Sequence, residues 1–121
     1  MRFRVALACG LALLAPAAAN AHAVLIKSSP ARRAVLALSP PRVEMLFNER
    51  LEPAYSTVSV WTTAKVQVDD KKIVVGPEDP RRLSVGMPPL AMGHYVVKFR
   101  VLSVDGHLVE GTLPFEIRPR P

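Results

Sequence analysis

Histidine is scarce in this chain of 121 residues, and its three copies, His22, His94 and His107, sit in different surroundings. His22 follows Ala19-Asn20-Ala21, the small-x-small pattern at which a secretory signal is cut. Cleavage after Ala21 would make His22 the first residue, and its α-amine and ring Nδ1 could then close a chelate ring on a metal ion. An α-amine has a reference pKa near ~8, so a metal displaces its proton at neutral pH at small cost. The competing reading of His22 is a frayed, solvated chain end.

His107 closes the run Ser103-Val104-Asp105-Gly106-His107. On an extended backbone the spacing of two puts the side chains of Asp105 and His107 on the same side. The pair reads either as half of a metal site or as a His–Asp hydrogen bond that fixes a turn, because Asp-Gly is a common turn dipeptide. Joined by His22, it would offer three nitrogens and a carboxylate oxygen. Such donors in a near-planar arrangement favour Cu(II), which also heads the affinity order of the divalent ions. His94 begins an alternating run and is expected on its solvent face, so a soft site made from Met87, Met92 and His94 is not expected.

The rest of the sequence must position these groups. Arg2 and Arg4, the apolar run from Val5 to Ala15 and the Ala19-Asn20-Ala21 site predict a signal peptide over residues 1–21 and a mature domain over 22–121. The apolar run is about half of the roughly 20 residues that a spanning helix needs. The one cysteine, Cys9, lies in the segment to be removed, so a site in the mature domain rests on His, Met or carboxylate donors rather than thiolate. Without Arg2 and Arg4, 14 basic side chains face 10 acidic ones. That modest excess is scattered among turns and lacks the aromatic platforms of a nucleic-acid groove, so no nucleic-acid partner is expected.

Twelve prolines argue against long helices and for short strands joined by rigid turns. Strict alternation marks Val43 to Phe47, Tyr95 to Val101 and Thr112 to Ile117 as strands, with Val43, Met45, Phe47, Tyr95, Val97, Phe99, Val101, Leu113, Phe115 and Ile117 facing inward. Further strands are expected at Val24 to Lys27, Thr57 to Thr62, Val66 to Val68, Ile73 to Val75 and Arg82 to Val85. Asp69-Asp70-Lys71-Lys72 reads as a hairpin tip between two of them. Pro114 predicts an edge position for the last strand, since proline cannot donate to a ladder. The expected fold is all-β, an immunoglobulin- or cupredoxin-like antiparallel Greek-key sandwich of about seven strands.

Three stretches, taken together and in order, resemble the CopC family of periplasmic copper-binding proteins. They are His22 with Leu25-Ile26-Lys27-Ser28-Ser29-Pro30-Ala31, then Leu46-Phe47-Asn48-Glu49-Arg50-Leu51, then Ser103 to Gly111 with Phe115. The resemblance implies one Cu(II) per chain, held by the amine and ring of His22, the carboxylate of Asp105 and the ring of His107. It places Glu49 near the metal, as an outer partner or a weak axial ligand; read alone, Glu49 is a surface acid ending a strand. It also implies a periplasmic carrier or buffer in copper homeostasis, with a CopD-like inner-membrane protein as partner. The middle segment, Thr63 to Pro80, contains no methionine, so a separate Cu(I) site is not expected. A histidine-brace redox enzyme and a metal-free immunoglobulin-like interaction module are the alternative functions. Against the enzyme stand the small size and an Asp105 carboxylate where oxygen would need an open position. A monomer is expected.

Overall fold

The computed structural model describes residues 24–120, and the expected signal segment, 1–21, and His22 lie outside the described residues. Eight strands form two four-stranded sheets: β1 (Leu25–Ser29), β2 (Val35–Leu36), β3 (Arg42–Phe47), β4 (Thr57–Thr62), β5 (Ile73–Val75), β6 (Arg82–Gly86), β7 (Gly93–Leu102) and β8 (Leu108–Ile117). The first sheet has the order β1-β3-β6-β5 and the second β2-β8-β7-β4. A single-turn 3-10 helix at Pro53–Tyr55 is the only helix among the described residues.

Alternation does what period-two patterning requires. Val43, Met45 and Phe47 of β3, together with Tyr95, Val97, Phe99 and Val101 of β7, point into one core. Leu113, Phe115 and Ile117 of β8 join them there. Phe47 meets Phe99 edge to face with ring centroids 5.8 Å apart, which locks the two sheets together at mid-core. The expected sandwich is therefore present.

Three local expectations need correction. Residues 69–72 are not a hairpin tip. Val68 donates to Val60 O, while Ile73–Val75 pairs with β6 in the other sheet, so the segment crosses between sheets. The physical reason is Asp69. Its buried carboxylate accepts hydrogen bonds from Val60 N, Lys71 N and Gln67 Nε2, which pins the crossing to β4.

Pro114 does not mark an edge strand either, because β8 lies between β2 and β7. Yet β2 covers only Glu116 and Ile117. Pro114 falls beyond that cover, and its carbonyl accepts Arg33 N at 2.7 Å on the β2 side. A strand residue presents its N–H and C=O to the same neighbour, so the proline removes no bond from the β7 ladder. Finally, the pairing of β2 with β8 is parallel in an otherwise antiparallel fold.

Candidate metal centre

One end of the sandwich gathers the groups of interest. After Phe47, β3 runs into a corner, Asn48 to Leu51, that carries the chain from the first sheet to the second. Leu51 is fully buried there; it bridges to Ser103, and Glu52 N donates to Leu102 O. Leu51 N donates to Pro80 O, so the turn at Asp79 to Arg81 supports the corner from below. In that turn the hydrogen bonds from Arg81 hold the Asp79 carboxyl below its ordinary value.

The β7–β8 connection, residues 103–107, meets this corner. Leu102 pairs with Leu108, Ser103 N donates to His107 O, and His107 N donates to Ser103 Oγ at 3.1 Å. Val104 N donates to Arg50 O, which ties loop to corner. Gly106 has φ 86°, a left-handed conformation that glycine adopts without cost, and a Cβ there would meet nothing within 4 Å. Backbone conformation, rather than space, requires the glycine.

The loop corrects one expectation. Asp105 and His107 are not neighbours on an extended strand, because the turn at Val104-Asp105 and the bend at Gly106 intervene. Asp105 is exposed, and among the described residues no three His, Cys, Asp or Glu side chains gather to hold a metal. What the fold does bring together is His107 and Glu49. The Nδ1 of His107 lies 3.9 Å from Glu49 Oε2, and both atoms are buried. That separation is beyond a hydrogen bond.

Glu49 Oε2 accepts no hydrogen bond from the described residues, although its side chain is only 14% exposed. A buried carboxylate oxygen beside an imidazole is costly to leave unmatched and suits a cation. The imidazole and carboxylate donors thus fit a borderline metal such as copper. The remaining surface of the His107 ring, 35% of the side chain, faces outward.

His22 lies outside the described residues, but the chain two residues later does not. Val24 N donates to Asn48 Oδ1 at 2.6 Å, and Asn48 N donates to Val24 O at 3.0 Å. Val24 is thereby held beside the residue that precedes Glu49. Sequence reasoning missed this clamp; the signal that could have found it is an asparagine at a strand end, where its side chain substitutes for backbone.

His94 stands at the opposite end of β7, roughly 26 Å away along the strand. It is solvent-facing, 3.9 Å from Glu116, as expected. Hydrogen bonds from Arg118 lower the carboxyl of Glu116 there. Met45 and Met87 are buried in the core and Met92 is exposed, so the three methionines of the described chain form no common thioether site. The glycine of the Asp-x-His-x-x-x-Gly run is explained by packing. Gly111 pairs with Phe99, and a Cβ at 111 would stand 2.5 Å from the Phe99 ring.

These features define a class, a small two-sheet β-sandwich with an imidazole–carboxylate pair at one end. The family model described as CopC domain matches residues 25–118, and the chain belongs to the CopC domain family. It is 31% identical over 103 residues to the copper transport protein CutJ of Bacillus subtilis, covering 84% of this chain but 19% of that much longer protein. It is 30% identical to copper resistance protein C of Pseudomonas syringae pv. tomato, with 88% of each chain covered. Among solved structures, CopC from Methylosinus trichosporium OB3b is 40% identical with a TM-score of 0.76, covering 83% of this chain and 97% of that one. PcoC, a methionine-rich copper resistance protein from Escherichia coli, superposes with a TM-score of 0.68 at 26% identity, covering 81% of this chain and all of that one.

Proposed function

We propose that this protein is an exported Cu(II) carrier or buffer whose mature chain begins at His22 and holds one copper ion. The ligands are the α-amine and ring of His22, the ring of His107 and the carboxylate of Asp105. Glu49 acts from behind His107, balancing the charge of the loaded site and fixing the ring. The relatives described as copper resistance and copper transport proteins support the cargo. The dispersed methionines favour the oxidised ion, since thioethers are the donors that select Cu(I).

One observation carries the reading. Val24 is clamped to Asn48, next to Glu49, and Glu49 lies against His107. Two residues of chain span at most about 7 Å, so a chain that begins at position 22 has its end no farther than that from the clamp. The fusion-like proportions of CutJ, in which a CopC-like stretch is a minor part of a transport protein, favour a membrane partner that takes or gives the copper. A CopD-like inner-membrane protein is that partner, and the periplasm is the compartment.

Mass spectrometry of the exported protein checks the N-terminus, with His22 expected first. Titration with Cu(II) is then expected to saturate at one equivalent and to show weak d–d absorption without an intense thiolate band. His22→Ala and His107→Ala each weaken binding by orders of magnitude, and His94→Ala leaves it unchanged. Equal damage from His94→Ala would move the site elsewhere.

A further inference from the structure

The pairing of β1 with β3 sets Leu25 opposite Phe47, so the next pair outward is Val24 opposite Asn48. In a regular narrow pair each residue would give its backbone N–H to the other's backbone carbonyl. Half of that exchange is present: Asn48 N donates to Val24 O at 3.0 Å. The other half is altered, because Val24 N donates to the side-chain Oδ1 of Asn48 at 2.6 Å. The ladder is therefore extended by one residue through a side chain, at the point where the chain turns into the corner that carries Glu49.

This matters because Val24 is 53% exposed, and the bond to Asn48 Oδ1 is what holds its N–H. An unclamped end would sample many directions, as chain termini do. A clamped Val24 makes the approach of whatever precedes it start from beside Asn48, the neighbour of Glu49. We infer that Asn48 is a positioning residue for the copper site: it does not touch the metal but fixes the direction from which the N-terminal amine and His22 approach it. The inference rests on the proposed His22 site and adds to it a residue outside the ligand set. An alanine removes the acceptor, whereas aspartate keeps an oxygen in the same place.

The test uses the mature chain beginning at residue 22, in five forms: wild type, Asn48→Ala, Asn48→Asp as rescue, and His22→Ala with its α-amine acetylated, alone and combined with Asn48→Ala. In the copper-free protein, hydrogen exchange at the Val24 amide should be slow in wild type and Asn48→Asp, and fast in Asn48→Ala. Cu(II) affinity, measured by competition with a chelator, should fall about ten- to a hundredfold in Asn48→Ala, the usual cost of losing an outer partner of a metal site. The electron paramagnetic resonance spectrum should shift with it and return in Asn48→Asp.

In the His22→Ala background with the α-amine acetylated, Asn48→Ala should cost nothing further, because the clamp then positions no ligand. Wild-type affinity in Asn48→Ala, or an equal loss with and without the amine and ring of residue 22, would overturn the inference. Should acetylated His22→Ala bind copper as tightly as wild type, the proposed site itself fails. That outcome is distinguishable from failure of the clamp alone.

Discussion

At the scale of single residues, the candidate metal-binding side chains stand out because they are few. Three histidines and a short Asp-Gly-His run leave little choice, and the solvent position of His94 followed from alternation. What could not be read was the relation of Asp105 to His107. A spacing of two means one thing on a strand and another across a turn, and the left-handed Gly106 decides for the turn. Gly106→Ala should therefore cost about 1–2 kcal/mol, the strain of a left-handed non-glycine residue, seen as a lower urea midpoint with unchanged slope.

The partnership of Glu49 with His107 was also out of reach of spacing, since 58 positions of sequence separate them and only the corner brings them within 3.9 Å. Glu49→Gln removes the charge and keeps the shape. It should weaken Cu(II) binding about tenfold or more, as losing an outer carboxylate does, while leaving the copper-free fold intact by circular dichroism.

At the scale of elements, alternation placed β3 and β7 to within two residues and the C-terminal end of β8, because each has one face in the core, while the start of β8 at Leu108 lies four residues before the expected Thr112. The failures fall where a side chain overrides local pattern. Residues 66–68 and 73–75 look like two arms of a hairpin, yet Asp69 holds the first to β4 while the second joins β6. The strength of that device is testable. Asp69→Ala strips the buried Val60 N–H of its acceptor, and leaving such a donor unpaired costs about 1–3 kcal/mol. The same substitution should speed hydrogen exchange at Val60 and Lys71, whereas Asp70→Ala should leave Val60 protected. Pro114 failed as an edge marker for a related reason: β2 is only two residues long, so an inner strand has an uncovered stretch.

At the scale of the whole molecule, the sandwich serves to bring the β3 corner, the β7–β8 loop and the start of β1 to one end. The ladder of β7 with β8 and the Phe47–Phe99 contact make that end a rigid product of the core rather than a flexible pocket. If copper binds the folded chain alone, it must stabilise that chain. At free Cu(II) a hundredfold above Kd the unfolding free energy should rise by about 2.7 kcal/mol, and a chelator should reverse the gain. Under the same conditions a carrier shows no substrate-dependent oxygen uptake above free-copper controls, which separates it from a histidine-brace enzyme.

The central claim is that the free amine of His22 completes the site. The most direct measurement is Cu(II) affinity of the chain beginning at His22 beside the same chain with its α-amine acetylated, which removes that donor and nothing else. One tightly bound equivalent is expected for the free amine and a loss of orders of magnitude on acetylation, with fewer nitrogen couplings in the paramagnetic resonance spectrum. Equal affinity and an unchanged spectrum would contradict it.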